Sequence, residues 1–228
     1  MKKLIPGSIK IFLKSLIWRW YLMGNNLKPF NPLYKKIIRG KHIDRFYIEN
    51  FLRKNSDCVR GTCLEIESNE YTLRYGEQKV EKSDILDINT GNKRATVHGD
   101  LKNLRGLIPD NTYDCIILTQ TLQYVDDYPA AIKECHRILK PRGVVLATLP
   151  AIARIGYAGV AGDYWRFTEA GGGYAFSQVF AEVDAQAFGN MRVAFKSLVG
   201  AFQEFSTEKE MTHNDPNFPS LVTIRAVK

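Results

Sequence analysis

Short apolar runs recur along this chain, and most of them end in a polar or acidic residue. Amphipathic segments or turns separate them, so that one run follows another about every 25 residues. The run at 111–119 is almost continuously apolar, as a central strand covered on both faces must be. The pattern predicts a first strand in the short apolar run that opens the 60–75 stretch, and further strands at 78–88, 94–100, 111–119, 144–148, within 177–189, and at 221–227.

Several of the connections between these runs have apolar residues at helical spacing. Residues 43–52 place apolar side chains on one side of a helix, and residues 190–205 have the same kind of pattern. Residues 128–139 form an amphipathic helix followed by Lys140-Pro141-Arg142-Gly143, a basic last turn with stop signals. Strands that alternate with helices predict an α/β fold with a parallel, doubly wound sheet.

The first 58 residues differ from the rest, so we expect a basic helical arm and lid at 1–58 and an α/β domain at 59–228. Residues 8–23 predict a helix that is too short and too charged to span a bilayer. This helix either packs on the domain or a partner chain, or it lies at a membrane interface through Trp18 and Trp20.

The net charge of +8 is unevenly distributed. Residues 1–60 hold 14 Lys or Arg and three acidic residues, whereas the remainder holds 18 and 21. Such an arm suits an anionic surface of lipid headgroups, a phosphorylated substrate or nucleic acid, or it is a solvated basic tail. Because the chain lacks the interleaved aromatic and arginine residues of a stacking platform, nucleic acid is not the expected partner.

The four cysteines show neither C-x-x-C pairing nor a dense framework. Cys63 and Cys115 lie inside apolar runs, so we interpret the cysteines as reduced core residues. This usage indicates a cytoplasmic protein, and no metal site is expected.

Acidic residues follow the predicted strands at their carboxyl ends. Glu65 lies near the end of the first run, and Asp84 and Asp87 lie near the end of the second. One carboxylate there can accept hydrogen bonds from both ribose hydroxyls of an adenosine. Asp100 closes the third run, where it is either a ligand contact or a plain turn residue.

The chain offers two further candidate regions for binding. A long loop at 150–168 ends in Asp163-Tyr164-Trp165-Arg166, where Arg166 suits a carboxylate or phosphate and Trp165 suits a ring. The alternative is that the loop's aromatic residues pack it against the sheet. The helix at 43–52 is either a lid over a ligand or a docking helix whose Asp44, Arg45 and Glu49 are surface charges.

Taken together, five motifs resemble those of the class I S-adenosylmethionine-dependent methyltransferases, and most closely the broad type-11 group. The resemblance covers residues 60–150. Its glycine-rich turn is degenerate, because the glycine positions hold Glu67, Asn69 and Tyr71. The motifs are Leu64-Glu65-Ile66, Leu86-Asp87-Ile88, Gly99-Asp100-Leu101, the run from Tyr113 through Leu122-Gln123-Tyr124 to Val125, and His136-Arg137-Ile138-Leu139-Lys140-Pro141-Arg142-Gly143.

The resemblance implies a Rossmann-like, doubly wound, mostly parallel seven-stranded sheet with an N-terminal helical extension. It also implies S-adenosyl-L-methionine as the cofactor. Glu65 would hold the sulfonium end or order the turn, while residues 67–71, including Glu67 and Asn69, line the methionine portion through their backbone. The remaining implied contacts are Asp87 or Asp84 on the ribose, Asp100 and the Leu101 amide on the adenine edge, and Gln120 at the methyl-transfer centre.

Three functions follow as hypotheses. The first is O-methylation of a sugar or small-molecule hydroxyl, with Asp163 and Arg166 on the substrate side; the 39–52 helix and the 163–168 loop resemble a subgroup found among polysaccharide-modification genes. The second is a catalytically inactive binding or scaffold protein, which the missing glycines suggest. The third is an RNA-binding methyltransferase that uses the basic arm, and it would show steeply salt-dependent binding.

Overall fold

The computed structural model describes residues 40–155 and 162–228. Seven strands form one sheet in the order β3-β2-β1-β4-β5-β7-β6. Strands β1 to β5 are parallel, and β7 runs antiparallel to both β5 and β6. The strands are β1 (Gly61–Ile66), β2 (Val80–Asp87), β3 (Val97–His98), β4 (Tyr113–Thr119), β5 (Leu139–Pro150), β6 (Glu182–Phe188) and β7 (Leu221–Val227).

Six α-helices connect or cover these strands within the described residues. Short 3₁₀ segments lie at Ser56–Cys58, Glu77–Lys79, Leu122–Tyr124 and Gln203–Phe205. The helices are α1 (Ile43–Lys54), α2 (Glu70–Gly76), α3 (Tyr128–Ile138), α4 (Glu169–Ser177), α5 (Met191–Leu198) and α6 (Glu208–Thr212).

The strand order reverses between β1 and β4, because β2 and β3 extend to one side of β1 and β5 to the other. In open sheets of this kind, ligands bind beyond the carboxyl ends of the strands at such a reversal. The carboxyl ends of β1, β2 and β4 therefore define where a site is to be sought.

Each face of the sheet has its own hydrophobic core. On one face, residues such as Leu64, Ile116 and Leu118 pack with α3 and α4. On the other face, Cys63, Ile117 and Leu146 of the central strands pack with buried residues of α1. The central strands are thus covered on both sides, which explains their nearly continuous apolar sequence.

Helix α1 packs against one face of the sheet. Ile43, Ile48 and Leu52 on its apolar side are almost fully buried in the second core. Its polar side bonds to α2, since Arg45 Nη1 donates to the Tyr71 hydroxyl at 2.6 Å and Glu49 forms an ion pair with Arg74. The described part of the predicted arm is therefore packed into the α/β body.

All seven predicted strands are present, although several boundaries differ from the prediction. Strand β3 has two residues, whereas β5 has twelve and begins before the expected 144–148 run. The predicted helix at 190–205 ends at Leu198, because Gly200 takes a φ of 80° and its neighbours close a C-terminal cap. Helices α2 and α6, of seven and five residues, were not predicted.

All four cysteines are free, and three of them are buried. Among the described residues, no helix is long and apolar enough to cross a membrane. The predicted helix at 8–23 lies outside the described residues.

Candidate functional site

Glu65 organises the turn that follows β1. Its carboxylate accepts hydrogen bonds from the backbone N–H groups of Thr72 at 2.7 Å and Tyr71 at 3.3 Å, in the first turn of α2. The side chain is only 2% exposed. Burial raises the pKa of this carboxyl to about 7, although the two amide donors act in the opposite direction. Of the two implied roles for Glu65, this geometry favours ordering the turn.

The turn itself keeps a glycine-like backbone without glycine. Glu67 has a φ of 69° and an exposed side chain, so that this side chain is not packed into the sheet edge. Asn69 donates its Nδ2 to Ser83 Oγ at 3.1 Å. Tyr71 is drawn toward α1, where Arg45 bonds to its hydroxyl. The three side chains at the glycine positions therefore project away from the packed edge or are held by neighbours.

Asp87 lies at the carboxyl end of β2, as the sequence implies. One of its oxygens accepts from the Asn89 amide at 2.8 Å, and the other accepts from Asn92 Nδ2 at 2.8 Å. Asn92 also donates to the Glu67 carbonyl and so joins the two turns. Each carboxylate oxygen retains a second acceptor position, so Asp87 is oriented by the protein and still able to bind hydroxyl groups.

Asp84 lies in the middle of β2, opposite Leu64 in the parallel register. It accepts hydrogen bonds from Lys82, Thr96 and Tyr113. Burial opposes ionisation of this carboxyl, but these donors lower its pKa. The oxygens of Asp84 are already bonded within the sheet. The geometry therefore favours Asp87 over Asp84 for the ribose contact.

Three further residues, Ile88, Asp100 and Leu101, extend the candidate site. Ile88, the next residue, is 70% exposed although it is large and apolar. A flat aromatic base laid on Ile88 would cover this surface, and its exposure is a signal that the sequence pattern alone did not provide. Asp100 accepts from the Lys102 amide in the turn after β3, and Leu101 is buried beside it.

The turn after β4 holds two unpaired polar groups. Gln120 has a φ of 49°, and its Nε2 is buried without a hydrogen-bond partner in the described part of the chain. Gln123 donates its Nε2 to the Gln120 carbonyl at 2.8 Å, and its Oε1 is likewise buried and unpaired there. A strained backbone and orphaned polar atoms cluster at functional sites because structures seldom retain such costs elsewhere. Only Gln120 of this pair was a candidate from sequence.

The loop before α4 is attached to this turn. The Gln123 carbonyl accepts from the backbone N–H of Tyr164 at 2.7 Å, and Trp165 Nε1 donates to the Val125 carbonyl at 2.9 Å. Asp163 and Arg166 pair with each other through both carboxylate oxygens. Arg166 also donates to carbonyls at 153 and 154. These contacts make the pair a brace for the loop; its substrate-side role stays a prediction.

A separate cavity of about 290 Å³ lies between α1, β6 and α6. It shares no lining residue with the groups at the ends of β1, β2 and β4. We therefore locate the candidate site by its chemistry at the strand reversal. Residues that line the separate cavity include Phe46, Tyr47, Phe51, Asp184, Gln186 and Phe188.

Comparison with known proteins identifies the domain that carries this site. A family model described as a methyltransferase domain matches residues 49–147. Residues 49–147 are thus similar to a methyltransferase domain. A demethylmenaquinone methyltransferase of Staphylococcus epidermidis is 32% identical over 102 residues, which make up 42% of this chain and 38% of that protein.

Solved structures of S-adenosylmethionine-dependent methyltransferases share the fold of this chain. A SAM-dependent methyltransferase from Archaeoglobus fulgidus has a TM-score of 0.55 at 14% identity, covering 81% of this chain and 94% of that one. One from Mesorhizobium loti has a TM-score of 0.57 at 14% identity, covering 82% and 100%. The matches to the first curated relatives span 38–49% of their length.

The family and the fold imply S-adenosylmethionine as the cofactor, and the residues present fit it. Asp87 is oriented at the end of β2, and Ile88 beside it has an uncovered apolar surface. The backbone at Glu67 retains the positive φ that a glycine would supply. Gln120 offers an unpaired donor at the opposite side of the strand reversal. No group of residues suited to a metal ion is found in the described ranges.

Proposed function

We propose that this chain transfers a methyl group from S-adenosylmethionine to a neutral small molecule that bears a hydroxyl group. The observation that carries the acceptor class is a buried pair of polar groups, Gln120 Nε2 and Gln123 Oε1, which have no hydrogen-bond partner among the described residues. A hydroxyl both donates and accepts, so it can satisfy the two groups together. A carboxylate or phosphate only accepts, and it would leave the Gln123 oxygen facing an anion.

When bound, the cofactor supplies an activated methyl group on a sulfonium. The protein then has to align the acceptor and exclude water, which is catalysis by orientation. In this proposal Asp87 and Ile88 hold the adenosine, and the backbone at 67–71 lines the methionine portion. Asp100 and the Leu101 amide meet the adenine edge, while Gln120 and Gln123 hold the acceptor and the Asp163–Arg166 brace positions the loop above it.

Sugars and quinols are the acceptor classes to compare. The predicted likeness to polysaccharide-modifying proteins favours a sugar, whereas the Staphylococcus relative is named for demethylmenaquinone. Both carry hydroxyl groups, and the glutamine pair recognises that shared group. We also propose a cytoplasmic protein, with peripheral membrane contact through residues 8–23.

Calorimetry with S-adenosylhomocysteine tests the cofactor site. We expect Asp87→Asn to weaken binding roughly tenfold, because a charged acceptor of two ribose hydroxyls is lost. The matched control is Glu81→Gln, an isosteric change of an exposed acid on the same strand, which should bind like the wild type. If the wild type shows neither heat nor a thermal shift at millimolar ligand, the inactive binding protein replaces the enzyme.

Steady-state kinetics with a panel of monosaccharide and quinol acceptors tests the glutamine pair. Gln120→Leu should lower kcat/KM roughly 5–30-fold, because one neutral hydrogen bond is lost and its partner is left unpaired. S-adenosylhomocysteine affinity should change less than about twofold. An equal loss in both measurements would instead make Gln120 a cofactor contact, as the resemblance implies.

A further inference from the structure

The separate cavity between α1, β6 and α6 has the size of a small-molecule site. Its volume of about 290 Å³ is at the lower end of the range for ligand pockets. An apolar cavity of about 150 Å³ holds one benzene molecule, so about 290 Å³ leaves room for a molecule of about two fused rings.

Strand β6 supplies one wall of this cavity. Alternate residues of a strand point to opposite faces of its sheet. Ala185 and Ala187 pack against the core that contains α3 and α4, whereas the residues that line the separate cavity are Asp184, Gln186 and Phe188. Strand β6 is at the edge of the sheet, three strand spacings or roughly 14 Å from β4. The wall is therefore remote from the strand reversal.

Helix α1 supplies another wall, and the apolar part of this wall is aromatic. Phe46, Tyr47 and Phe51 all line the cavity. The rings of Phe46 and Tyr47 meet edge to face with centroids 5.3 Å apart, and the Tyr47 ring lies 6.2 Å from that of Phe188 in β6. Rings at several angles can stack on a planar molecule and also meet its edge. The lining therefore suits an aromatic ligand.

Tyr47 adds a hydrogen-bond donor that the described part of the chain leaves unused. This residue is 4% exposed, and its hydroxyl is buried without a hydrogen-bond partner among the described residues. Burial raises the pKa of Tyr47 to about 12, so the hydroxyl keeps its proton at neutral pH. Leaving a buried hydroxyl unpaired costs free energy, and an acceptor on a bound ligand would remove that cost.

The charges of the lining favour a ligand whose acceptor is anionic. Asp184 is already engaged, because its two carboxylate oxygens accept from Gln186 Nε2 at 3.0 and 3.1 Å. Lys54 is exposed and forms no ion pair within the described ranges. Among the described residues, no other charged side chain lines the cavity. Lys54 is therefore the charge that remains available to a ligand.

We propose that the separate cavity binds a small aromatic carboxylate. Its rings lie among Phe46, Tyr47 and Phe188, and its carboxylate accepts from the Tyr47 hydroxyl and is attracted by the Lys54 ammonium. The site does not depend on the proposed methyl transfer, because it shares no lining residue with the groups at the strand reversal.

Calorimetry on the full chain with 2-naphthoate, a carboxylate on two fused rings, tests the site. We expect binding that persists when S-adenosylhomocysteine is saturating. The matched probe 2-naphthylmethylamine has the same rings and a cation instead of the carboxylate, so it should bind at least about tenfold more weakly. Absence of 2-naphthoate binding at millimolar concentration, or equal binding of the amine, overturns the proposal. If S-adenosylhomocysteine does not bind, the methyltransferase proposal fails and the 2-naphthoate result still decides this one.

Tyr47→Phe tests the unpaired hydroxyl. It should weaken 2-naphthoate binding roughly tenfold or more, because a hydrogen bond to a charged acceptor is lost. Without ligand, the variant should unfold at the wild-type temperature or above it, because an unpaired buried hydroxyl has been removed. Tyr174→Phe, at an exposed tyrosine of α4, is the control and should change neither quantity. Wild-type affinity in Tyr47→Phe, or a lower unfolding temperature, contradicts the assignment.

Lys54→Gln tests the attraction of the carboxylate. The loss should be only about two- to fivefold, since ion pairs of exposed side chains are weak. Lys133→Gln removes an exposed lysine from α3, on the other face of the sheet, and should bind like the wild type. An equal loss in both variants would reduce the effect to net charge and would remove Lys54 from the site.

Hydrogen exchange locates the bound probe. We expect 2-naphthoate to slow exchange of amides in α1 and β6, since both elements line the separate cavity. Protection confined to the turns after β1 and β4 would instead place 2-naphthoate in the candidate methyltransferase site and would overturn the proposal.

Discussion

At the scale of single residues, two positions where the family motifs carry glycine hold larger residues. Both residues keep the positive φ that is typical of glycine. Glu67 and Arg142 occupy positions where the family motifs carry glycine, and both keep positive φ, at 69° and 66°. Such a conformation costs a residue with a Cβ about 1–2 kcal/mol. Because the turn shape is retained, the degenerate motif does not by itself remove the bend that the resemblance assigns to the cofactor.

Glu65 provides a prediction about pH. Burial raises the pKa of its carboxyl from 4.5 to about 7, so between these values the folded protein holds a proton that the unfolded chain has released. The stability that this group contributes is fully present below pH 4.5 and is lost as the pH rises through about 7.

We therefore expect Glu65→Gln to flatten the decline in unfolding free energy between about pH 5 and about pH 8, measured by urea titration. The amide oxygen of glutamine can still accept from Thr72, so the turn should persist. Glu67→Gln, a change of an exposed acid two residues away, should keep the wild-type decline. If the unfolding free energy of Glu65→Gln declined with pH as steeply as that of the wild type, other groups would be the cause of the decline.

The site residues were only partly predictable from sequence. Asp87 and Gln120 follow from strand ends, because a strand boundary can be inferred from the apolar pattern. The choice between Asp84 and Asp87 required the pairing register of β1 and β2. Asp84 lies in the interior of the sheet, whereas Asp87, three residues further along the strand, lies at its carboxyl edge. The second glutamine, Gln123, required knowing which buried polar atoms lack partners, a property of packing that no local pattern contains.

At the scale of elements, the same limit applies to short helices. Helix α2 has seven residues, fewer than its sequence could stabilise alone, and it depends on the Glu65 carboxylate at its first turn. Longer periodic segments such as α1 and α3 were found close to their predicted places. Sequence periodicity therefore predicts elements that have enough turns to repeat, and tertiary contacts determine the rest.

Helix α6 depends on the contacts that the Glu210 carboxylate makes. Burial alone would raise the pKa of this carboxyl, but the Lys196 ammonium, the Thr207 amide and the Arg192 guanidinium lower it to about 2. Its contribution to stability is present above about pH 4.5 and is lost as the pH falls through about 2. Glu210 thus joins α6 to α5 at neutral pH.

We expect Glu210→Gln to lower the unfolding free energy at neutral pH by roughly 1–3 kcal/mol, because it leaves the buried Lys196 ammonium without its carboxylate. The loss should shrink as the pH falls below about 4.5, where the wild type also loses the pair. Glu208→Gln, in the same helix but exposed, is the control and should change little. A pH-independent loss in Glu210→Gln would point to the capping contact alone.

At the scale of the whole molecule, the two faces of the sheet are joined through its central strands. Neighbouring residues of β4 alternate between the cores, with Ile116 and Leu118 in one and Cys115 and Ile117 in the other. A change in either core is therefore transmitted to the same strands. Helix α1 forms part of the second core, so the sequence boundary between an arm at 1–58 and a domain at 59–228 is open to a direct test.

Leu52→Ala is that test. Leu52 is fully buried against the central strands, and its truncation should cost about 2–5 kcal/mol. If α1 and the sheet unfold together, far-UV circular dichroism and hydrogen exchange of β5 amides should report one transition at a lower temperature. Leu73→Ala, at a site 56% exposed on α2, should leave that temperature almost unchanged. Were α1 a separable arm, Leu52→Ala would release α1 early while the β5 amides kept their wild-type protection.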